Sequence, residues 1–247
     1  DSNGRRRQTS ASNSHFSMDS AVSSQNADAE YDFDIDEFGD DNVVLHLVME
    51  YCSGGTLAEY IRMSAAVDDS ANSINTKSSL YNRPSAVRDA DRWFHQALGA
   101  LCYMHQHGVL HRDIKPQNLL FRTPMRRDIV VVDLGVSCHT VVDGGVKAKA
   151  ATNIVGTPFY LSPELCRGEG YGPESDLWAL GCVFYEVLTG GARPYSGTNV
   201  PSVVLAILEG KHIPLRERDD VDMATDYRKV YECVEICLSS HPTDRLA

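Results

Sequence analysis

The sequence has no apolar run near the roughly 18 residues that a membrane-spanning helix needs. Its first residues, DSNGRRRQTSASNSH, also lack the apolar core of a signal peptide. These absences predict an intracellular protein with no membrane partner, located in the cytoplasm or associated with the nucleus or cytoskeleton. Basic residues are scarce, with 23 Lys and Arg against 34 Asp and Glu and a net charge of -11. So acidic a chain argues against nucleic acid as a partner.

No Cys-x-x-Cys pair occurs among the seven cysteines. Five of them lie in apolar segments, and we expect reduced core residues there rather than disulfides or zinc ligands: Cys102, Cys166, Cys182, Cys233 and Cys237. Three histidines, His105, His107 and His111, are close in sequence and could suggest a metal. Two of them fall at a predicted helix end and the third opens a loop, so we do not expect a metal site.

The beginning of the chain divides into a polar tail and a predicted hairpin. Residues 1–28 have the Ser-, Asn- and Gln-rich composition of a disordered tail. Apolar and acidic residues then alternate over 31–36, which is typical of a half-buried strand. The more apolar segment 43–51 predicts a second strand, which would pair with the first.

The rest of the chain is predicted to be mainly helical. TLAEYIRM predicts a short helix, and residues 64–84 read as a polar surface insertion. A long helix follows over 85–107, ended by Gly108, with one apolar face made of Trp93, Ala97, Leu101 and Met104. Short strands are predicted at VLHR, NLLF and IVVVD, and helices at PESDLWALGCVFYEVLTG, NVPSVVLAILEG and ATDYRKVYECVEICLSS. The first of these three helices is apolar nearly all round, which indicates a buried position.

Side chains of different chemistry stand at fixed offsets in HRDIKPQN, residues 111–118. Asp113 can orient a hydroxyl and accept its proton, and Lys115 can reach a phosphate that is being transferred. Asn118, and Asp133 fifteen positions later, offer the hard oxygen ligands that Mg²⁺ prefers. A buried core rarely contains such a set of polar and charged side chains, because charged groups are costly to bury. Together they predict phosphoryl transfer, which needs positioning and charge neutralisation from the protein.

The motifs in this order resemble those of eukaryotic protein kinases. Residues 111–118 are similar to the catalytic loop, and Asp133-Leu134-Gly135 is similar to Asp-Phe-Gly, with Leu134 filling the apolar slot. Ser162-Pro163-Glu164 stands where the family has Ala-Pro-Glu, and residues 176–181 resemble its buried-helix motif. Arg245 stands where the family places the arginine that pairs with this glutamate. Lys115 and residues 156–164 resemble the serine/threonine type. Residues 156–164, together with VVLAILEGKHIPL and its flanks, most resemble the NIMA-related kinases.

The resemblance implies an α+β, protein kinase-like two-lobed fold, with a truncated β-rich small lobe and a mainly α-helical large lobe. It implies a serine/threonine kinase that transfers the ATP γ-phosphate to Ser/Thr hydroxyls of protein substrates, with Mg²⁺. The implied catalytic residues are Asp113, Lys115 and Asn118. The implied ATP-binding residues are Met49, Glu50, Tyr51, Cys52, Lys115, Asn118 and Asp133, of which Asn118 and Asp133 hold Mg²⁺. Met49 is expected at the back of the adenine pocket, or alternatively as an ordinary core residue.

The resemblance also sets the expected domain boundaries. After the tail, residues 29–247 would be the kinase domain, with 29–52 the remnant of the small lobe and connector and 53–247 the large lobe. The family's glycine loop and phosphate-binding lysine are missing, since residues 1–42 hold two glycines and no lysine. We expect either an N-terminally incomplete kinase, weak or inactive as given, or an inactive kinase-fold scaffold. The intact Asp113, Lys115, Asn118 and Asp133 favour the incomplete kinase.

The sequence also suggests how the protein could be regulated and offers a third class of function. Arg112 is expected to meet a phosphate on Thr152, or else on Thr140, added by an activating kinase or by autophosphorylation. Thr157 is expected to support the peptide site by contacting Asp113 and Lys115. A small-molecule phosphotransferase also uses a His-x-Asp loop, but it would not need the 21-residue segment 137–157 before Ser-Pro-Glu.

Overall fold

The structure, a computed structural model, describes residues 48–69, 84–139, 142–143, 146–147, 157–218 and 228–246. The predicted tail, the first hairpin strand and residues 43–47 of the second strand lie outside these ranges. Residues 48–51 are exposed and form no strand, so the strand prediction is wrong for its last four residues. Within the described ranges, no strand lies beside them to supply ladder hydrogen bonds.

Six α-helices and six short strands make up the described structure. The helices are α1 (Leu57–Asp69), α2 (Pro84–Gln106), α3 (Pro163–Cys166), α4 (Pro173–Leu188), α5 (Val200–Glu209) and α6 (Arg228–Cys237). The strands are β1 (Val109–Leu110), β2 (Leu119–Phe121), β3 (Ile129–Val131), β4 (Cys138–His139), β5 (Val142–Asp143) and β6 (Val146–Lys147). They pair antiparallel as β1 with β4, β2 with β3, and β5 with β6.

Most of the predicted elements are confirmed, and the boundaries differ at the insertion. Helix α1 continues to Asp69, so the predicted insertion at 64–84 begins inside a helix, and α2 already starts at Pro84. Ala65 and Ala66 near the end of α1 are good helix formers, which favours the extension. None of the described helices is both long and apolar enough to cross a bilayer.

Helix α4 forms the centre of the core because it is buried on nearly every side. Gly181 allows α6 to approach closely, since a Cβ there would lie 2.7 Å from the Cβ of Cys237. The predicted apolar face of α2 is confirmed, with Trp93, Ala97 and Leu101 buried and Met104 packed against the core. Helices α2 and α6 therefore pack against α4, and together they support the catalytic loop.

All seven cysteines are free thiols. Cys182 and Cys237 are buried, and Cys166 and Cys233 are half-buried, as expected of core and near-core positions. Burial raises the pKa of the Cys237 thiol to about 12, so it stays protonated at neutral pH. Cys102 is exposed, and its prediction as a core residue is wrong because it lies on the solvent side of α2.

Candidate active site

The catalytic loop, residues 111–118, connects β1 to β2 and is anchored to the core by one carboxylate. Asp176, in the first turn of α4, accepts hydrogen bonds from the backbone N–H groups of His111 (3.0 Å) and Arg112 (2.9 Å). His105 Nε2 lies 2.8 Å from the same side chain, and the Tyr171 hydroxyl donates to it at 2.6 Å. Asp176 is fully buried, and these four contacts satisfy its charge.

Three predicted catalytic side chains meet within this loop. The Lys115 ammonium forms an ion pair with the Asp113 carboxylate. Asn118 Nδ2 donates to the Asp113 backbone carbonyl at 2.9 Å and to Asp113 Oδ2 at 3.1 Å. Asp113 and Lys115 keep 12% and 24% of their side-chain surface exposed, so both are held firmly yet open to a substrate.

Asp133 is brought beside Asn118 through the backbone. The Val132 N–H donates to the Asn118 carbonyl at 3.0 Å, which places the start of the Asp-Leu-Gly segment next to the loop. Asn118 uses its amide N–H₂ group on Asp113, which leaves its side-chain oxygen as a free acceptor. Asp133 is exposed and accepts a hydrogen bond from the Gly135 N–H with one carboxylate oxygen only. The pair thus offers two hard oxygen donors of the kind that suits a divalent metal.

Two residues of the candidate site have unusual backbone conformations. Arg112 and Asp133 both have positive φ, 70° and 69°, which is uncommon for residues other than glycine. Such conformations persist where the surroundings enforce them, and they are frequent at functional sites. The Arg112 Nε is buried without a hydrogen-bond partner in the described part of the chain, and its guanidinium lies 6.0 Å from the Tyr171 ring centre.

The connector that was predicted to hold the adenine is attached to the β2–β3 hairpin. Gly54 N–H donates to the Phe121 carbonyl at 3.0 Å, and a Cβ at Gly54 would clash with Phe121 and the Thr123 carbonyl. Glu50 pairs with Arg122 at 2.7 Å. Met49 and Tyr51 are 75% and 86% exposed, so Met49 is not packed in a core among the described residues.

Two further expectations at the site are not met. Leu134 is 55% exposed, so it does not fill an apolar slot among the described residues. No hydrogen bond joins Thr157 to Asp113 or Lys115 in the described structure, although Thr157 lines a small cavity together with Arg112 and Asp113. The candidate phosphate acceptors Thr152 and Thr140 lie outside the described residues.

The predicted pairing of Glu164 with Arg245 is confirmed. Arg245 makes two parallel hydrogen bonds to the two carboxylate oxygens, at 2.8 and 3.1 Å, and its guanidinium also lies 4.8 Å from the Trp178 ring centre. Burial by itself raises the pKa of Glu164, but Arg245 and the hydroxyls of Ser162 and Ser175 outweigh it and hold the pKa below its usual value. This bidentate pair fixes the segment after residue 157 onto the core.

A second buried carboxylate supports the same segment, and the sequence analysis missed it. Glu186 of α4 accepts a hydrogen bond from the Tyr160 hydroxyl at 2.9 Å and lies 3.5 Å from Arg193. Arg193 in turn stacks 3.8 Å from the centre of the Phe159 ring. Burial raises the pKa of Glu186, against the opposing effect of Tyr160 and Arg193. An acidic residue inside an apolar helix was the sequence signal, because a buried carboxylate requires partners.

The three histidines considered as a metal set have other contacts. His105 contacts Asp176, His107 Nδ1 lies 2.7 Å from the Tyr103 carbonyl, and His111 Nε2 lies 3.0 Å from the Val132 carbonyl. His105 and Tyr171 thus position the catalytic loop, a role that the sequence analysis did not predict for either residue. Asp176, the partner of both residues, is 71 residues from His105 in the sequence, so only the fold reveals this contact.

The loop, its anchor and the Glu164–Arg245 pair are the parts of a protein kinase domain, and the family description "Protein kinase domain" matches residues 26–247. The chain belongs to the protein kinase family. Serine/threonine-protein kinase nekl-2 of Caenorhabditis elegans is 40% identical over 196 residues, which are 78% of this chain and 50% of nekl-2. Serine/threonine-protein kinase Nek8 of Danio rerio is 38% identical over 177 residues, 70% of this chain and 22% of Nek8.

A third relative, serine/threonine-protein kinase Nek1 of Mus musculus, is 32% identical over 186 residues, 74% of this chain and 13% of Nek1. These relatives confirm the predicted resemblance to the NIMA-related serine/threonine kinases. The chain spans half or less of the length of each of the three. Members of the protein kinase family in general use ATP with a divalent metal and act on protein substrates.

Proposed function

We propose that this chain provides the catalytic residues of a serine/threonine protein kinase, which transfers the γ-phosphate of ATP to Ser and Thr hydroxyls of proteins. The observation that carries the proposal is the interlocked group of Asp113, Lys115 and Asn118. A scaffold without catalytic activity has no physical need for an acid, a cation and an amide held together at a solvent-accessible loop. The alternative of an inactive binding module therefore has less support.

Each residue has a distinct role in this proposal. Asp113 orients the substrate hydroxyl and accepts its proton, because its second carboxylate oxygen has no partner among the described contacts. Lys115 neutralises the phosphoryl group as it moves to the acceptor. Asn118 and Asp133 hold Mg²⁺ through their free oxygens, and MgATP supplies the phosphoryl group when it is bound. Backbone groups of the connector, residues 49–52, hydrogen-bond the adenine, with Met49 beside it.

The metal assignment is tested by calorimetry on the chain as it is, with Asp133→Asn as the variant. The wild-type chain is expected to bind ATP more tightly in Mg²⁺ than in EDTA, and the variant is expected to lose most of that difference. Asp128→Asn, an exposed aspartate at the other end of the same hairpin, is the matched control. Equal ATP affinity of wild type and Asp133→Asn in Mg²⁺ contradicts the assignment.

Regulation by phosphate is part of the same proposal. The unpartnered Nε of Arg112, buried beside the Thr157 cavity, supports an anion site for a phosphorylated residue of the segment 137–157. Thr152 is the proposed acceptor, with Thr140 as the alternative, and the phosphate comes from an activating kinase or from autophosphorylation. The test compares Thr152→Ala and Arg112→Ala in a kinase completed with a relative's small lobe. Full activation of Thr152→Ala would show that another residue carries the phosphate.

The proposed location is intracellular, in the cytoplasm or associated with the nucleus or cytoskeleton, where ATP is abundant. Fluorescence microscopy of the tagged natural protein tests this, and a signal confined to the cell exterior would exclude it.

A further inference from the structure

The turn between β2 and β3 carries an unusual concentration of positive charge for this chain. Residues 122–127 read RTPMRR, three arginines in six positions of a protein whose net charge is -11. Arg122 pairs with Glu50. Arg126 and Arg127 form no salt bridge with any described residue. Two cations at this turn are therefore without an ion-pair partner among the described residues.

Arg126 is held in a fixed position by stacking rather than by a carboxylate. Its guanidinium lies 5.4 Å from the ring centre of Tyr60 and 5.8 Å from that of Phe121. The Arg126 carbonyl accepts a hydrogen bond from the Trp93 indole N–H at 2.8 Å. Tyr60, Trp93 and Phe121 also pack edge to face on one another. The cation is thus preorganised on an aromatic base, which lowers the entropic cost of binding an anion.

The backbone at Arg126 is also strained. Its φ is 53°, and its N–H closes the turn by donating to the Thr123 carbonyl at 3.0 Å. Glycine is the residue favoured at a left-handed position of this kind. Among the described residues other than glycine, positive φ occurs only at Arg126 and at Arg112 and Asp133 of the candidate active site. Strain of this sort concentrates at functional positions, so the arginine side chain itself is the feature that needs an explanation.

Exposed apolar side chains border these cations. Met63 of α1 is 57% exposed, and its sulfur lies 3.8 Å from the Arg126 guanidinium. Met125 in the turn is 72% exposed. Methionine is flexible and polarisable, and it adapts to varied apolar partners. We call Met63, Met125, Arg126 and Arg127 the arginine surface.

We propose that the arginine surface is a docking site for a short acidic segment of a partner protein, one that carries apolar side chains between its carboxylates. Charge complementarity selects acidic residues, and the two methionines select an apolar neighbour. A long polyanion such as nucleic acid fits poorly, because the chain as a whole is acidic and repels it. The β2–β3 register places the turn at the opposite end of the hairpin from Asn118 and Asp133, so docking leaves the catalytic residues accessible.

The test measures fluorescence anisotropy of a labelled peptide of alternating Asp and Leu, titrated with the whole chain. Saturable binding that weakens with added salt is expected. Arg126→Gly and Arg127→Ala should each weaken binding about fivefold, and the double variant by about 20-fold. Met63→Ser should weaken it less, and Lys211→Ala, an 80% exposed cation at the end of α5, should leave it unchanged.

Arg126→Gly separates a docking role from a structural one. Glycine relieves the backbone strain, so thermal unfolding of this variant should stay close to wild type while peptide binding falls. Three outcomes overturn the proposal: no saturable binding, equal weakening by Lys211→Ala, or equal binding of an Asp–Ser peptide or a DNA oligonucleotide. The last outcome would show general electrostatic attraction in place of a docking site.

Discussion

The catalytic loop, residues 111–118, and the connector, residues 49–52, are assigned to the same nucleotide but are held very differently. The loop is bonded to a buried carboxylate beneath it, and its acid, cation and amide contact one another. The connector is tied to the hairpin at Glu50, while Met49 and Tyr51 are largely exposed. The difference teaches that the proposed catalytic residues are ordered by contacts with α2 and α4, whereas the residues proposed to contact adenine have few contacts within the described part of the chain.

Of the substitutions considered, Asp176→Ala should lower the free energy of unfolding most, because Asp176 holds the catalytic loop. It leaves the backbone N–H groups of His111 and Arg112 buried without an acceptor and removes the partner of His105. We expect a loss of about 3–5 kcal/mol in the free energy of unfolding, measured by urea denaturation. Asp128→Ala, at an exposed aspartate with ordinary backbone geometry, should cost about 0.5 kcal/mol or less. Equal losses for the two variants would show that the loop has no special anchor.

Glu164→Gln should have the next largest effect, roughly 1.5–3 kcal/mol, because Arg245 loses a charged, bidentate partner. The pKa of Glu164 is lowered in the folded state, so its stabilisation is present above the ordinary pKa of 4.5. That stabilisation is lost as the pH falls through the lower folded value. Denaturation at a series of pH values should therefore show a weaker acid dependence in Glu164→Gln than in wild type. The same acid dependence in both would contradict this sign.

The smallest expected effect concerns the connector. There, nucleotide should change the rate at which Cys52 is labelled without changing the stability of the protein. Cys52 is half-buried in the connector, whereas Cys182 is buried in α4, where burial raises the pKa of its thiol well above the usual range. Iodoacetamide should label Cys52 and leave Cys182 unmodified in the native protein, as read by mass spectrometry. MgATP should slow labelling of Cys52 if the connector holds the adenine. Exposed Cys102 is the control, and its rate should not change with nucleotide.

Motif spacing predicted which polar side chains would lie together, because a motif for phosphoryl transfer holds particular side chains at particular offsets. Asp113, Lys115 and Asn118 meet as expected, and so do Glu164 and Arg245, although these last two are 81 residues apart. Hydrophobic periodicity also predicted α2 and α4. Both signals are local, or are carried by a recognisable motif.

The remaining features could not be predicted because they depend on contacts between distant segments. His105 and Tyr171 reach Asp176 only once α2 and the loop before α4 pack together. The exposure of Leu134 depends on what covers it, and its own sequence context gives no sign of this. The end of α1 was misplaced because helix propensity continued into a segment whose polar composition indicated a loop.

The most direct test of the account concerns Asp113 in a kinase made by joining this chain to the complete small lobe of a NIMA-related relative. The completed protein should transfer radiolabelled phosphate from MgATP to a Ser/Thr peptide. Asp113→Asn, which keeps the shape of the side chain but removes the base, should lower kcat by about 10²–10⁴-fold with little change in the KM for ATP. Asp128→Asn should match wild type. A rate for Asp113→Asn equal to that of wild type would contradict the assignment of the catalytic loop.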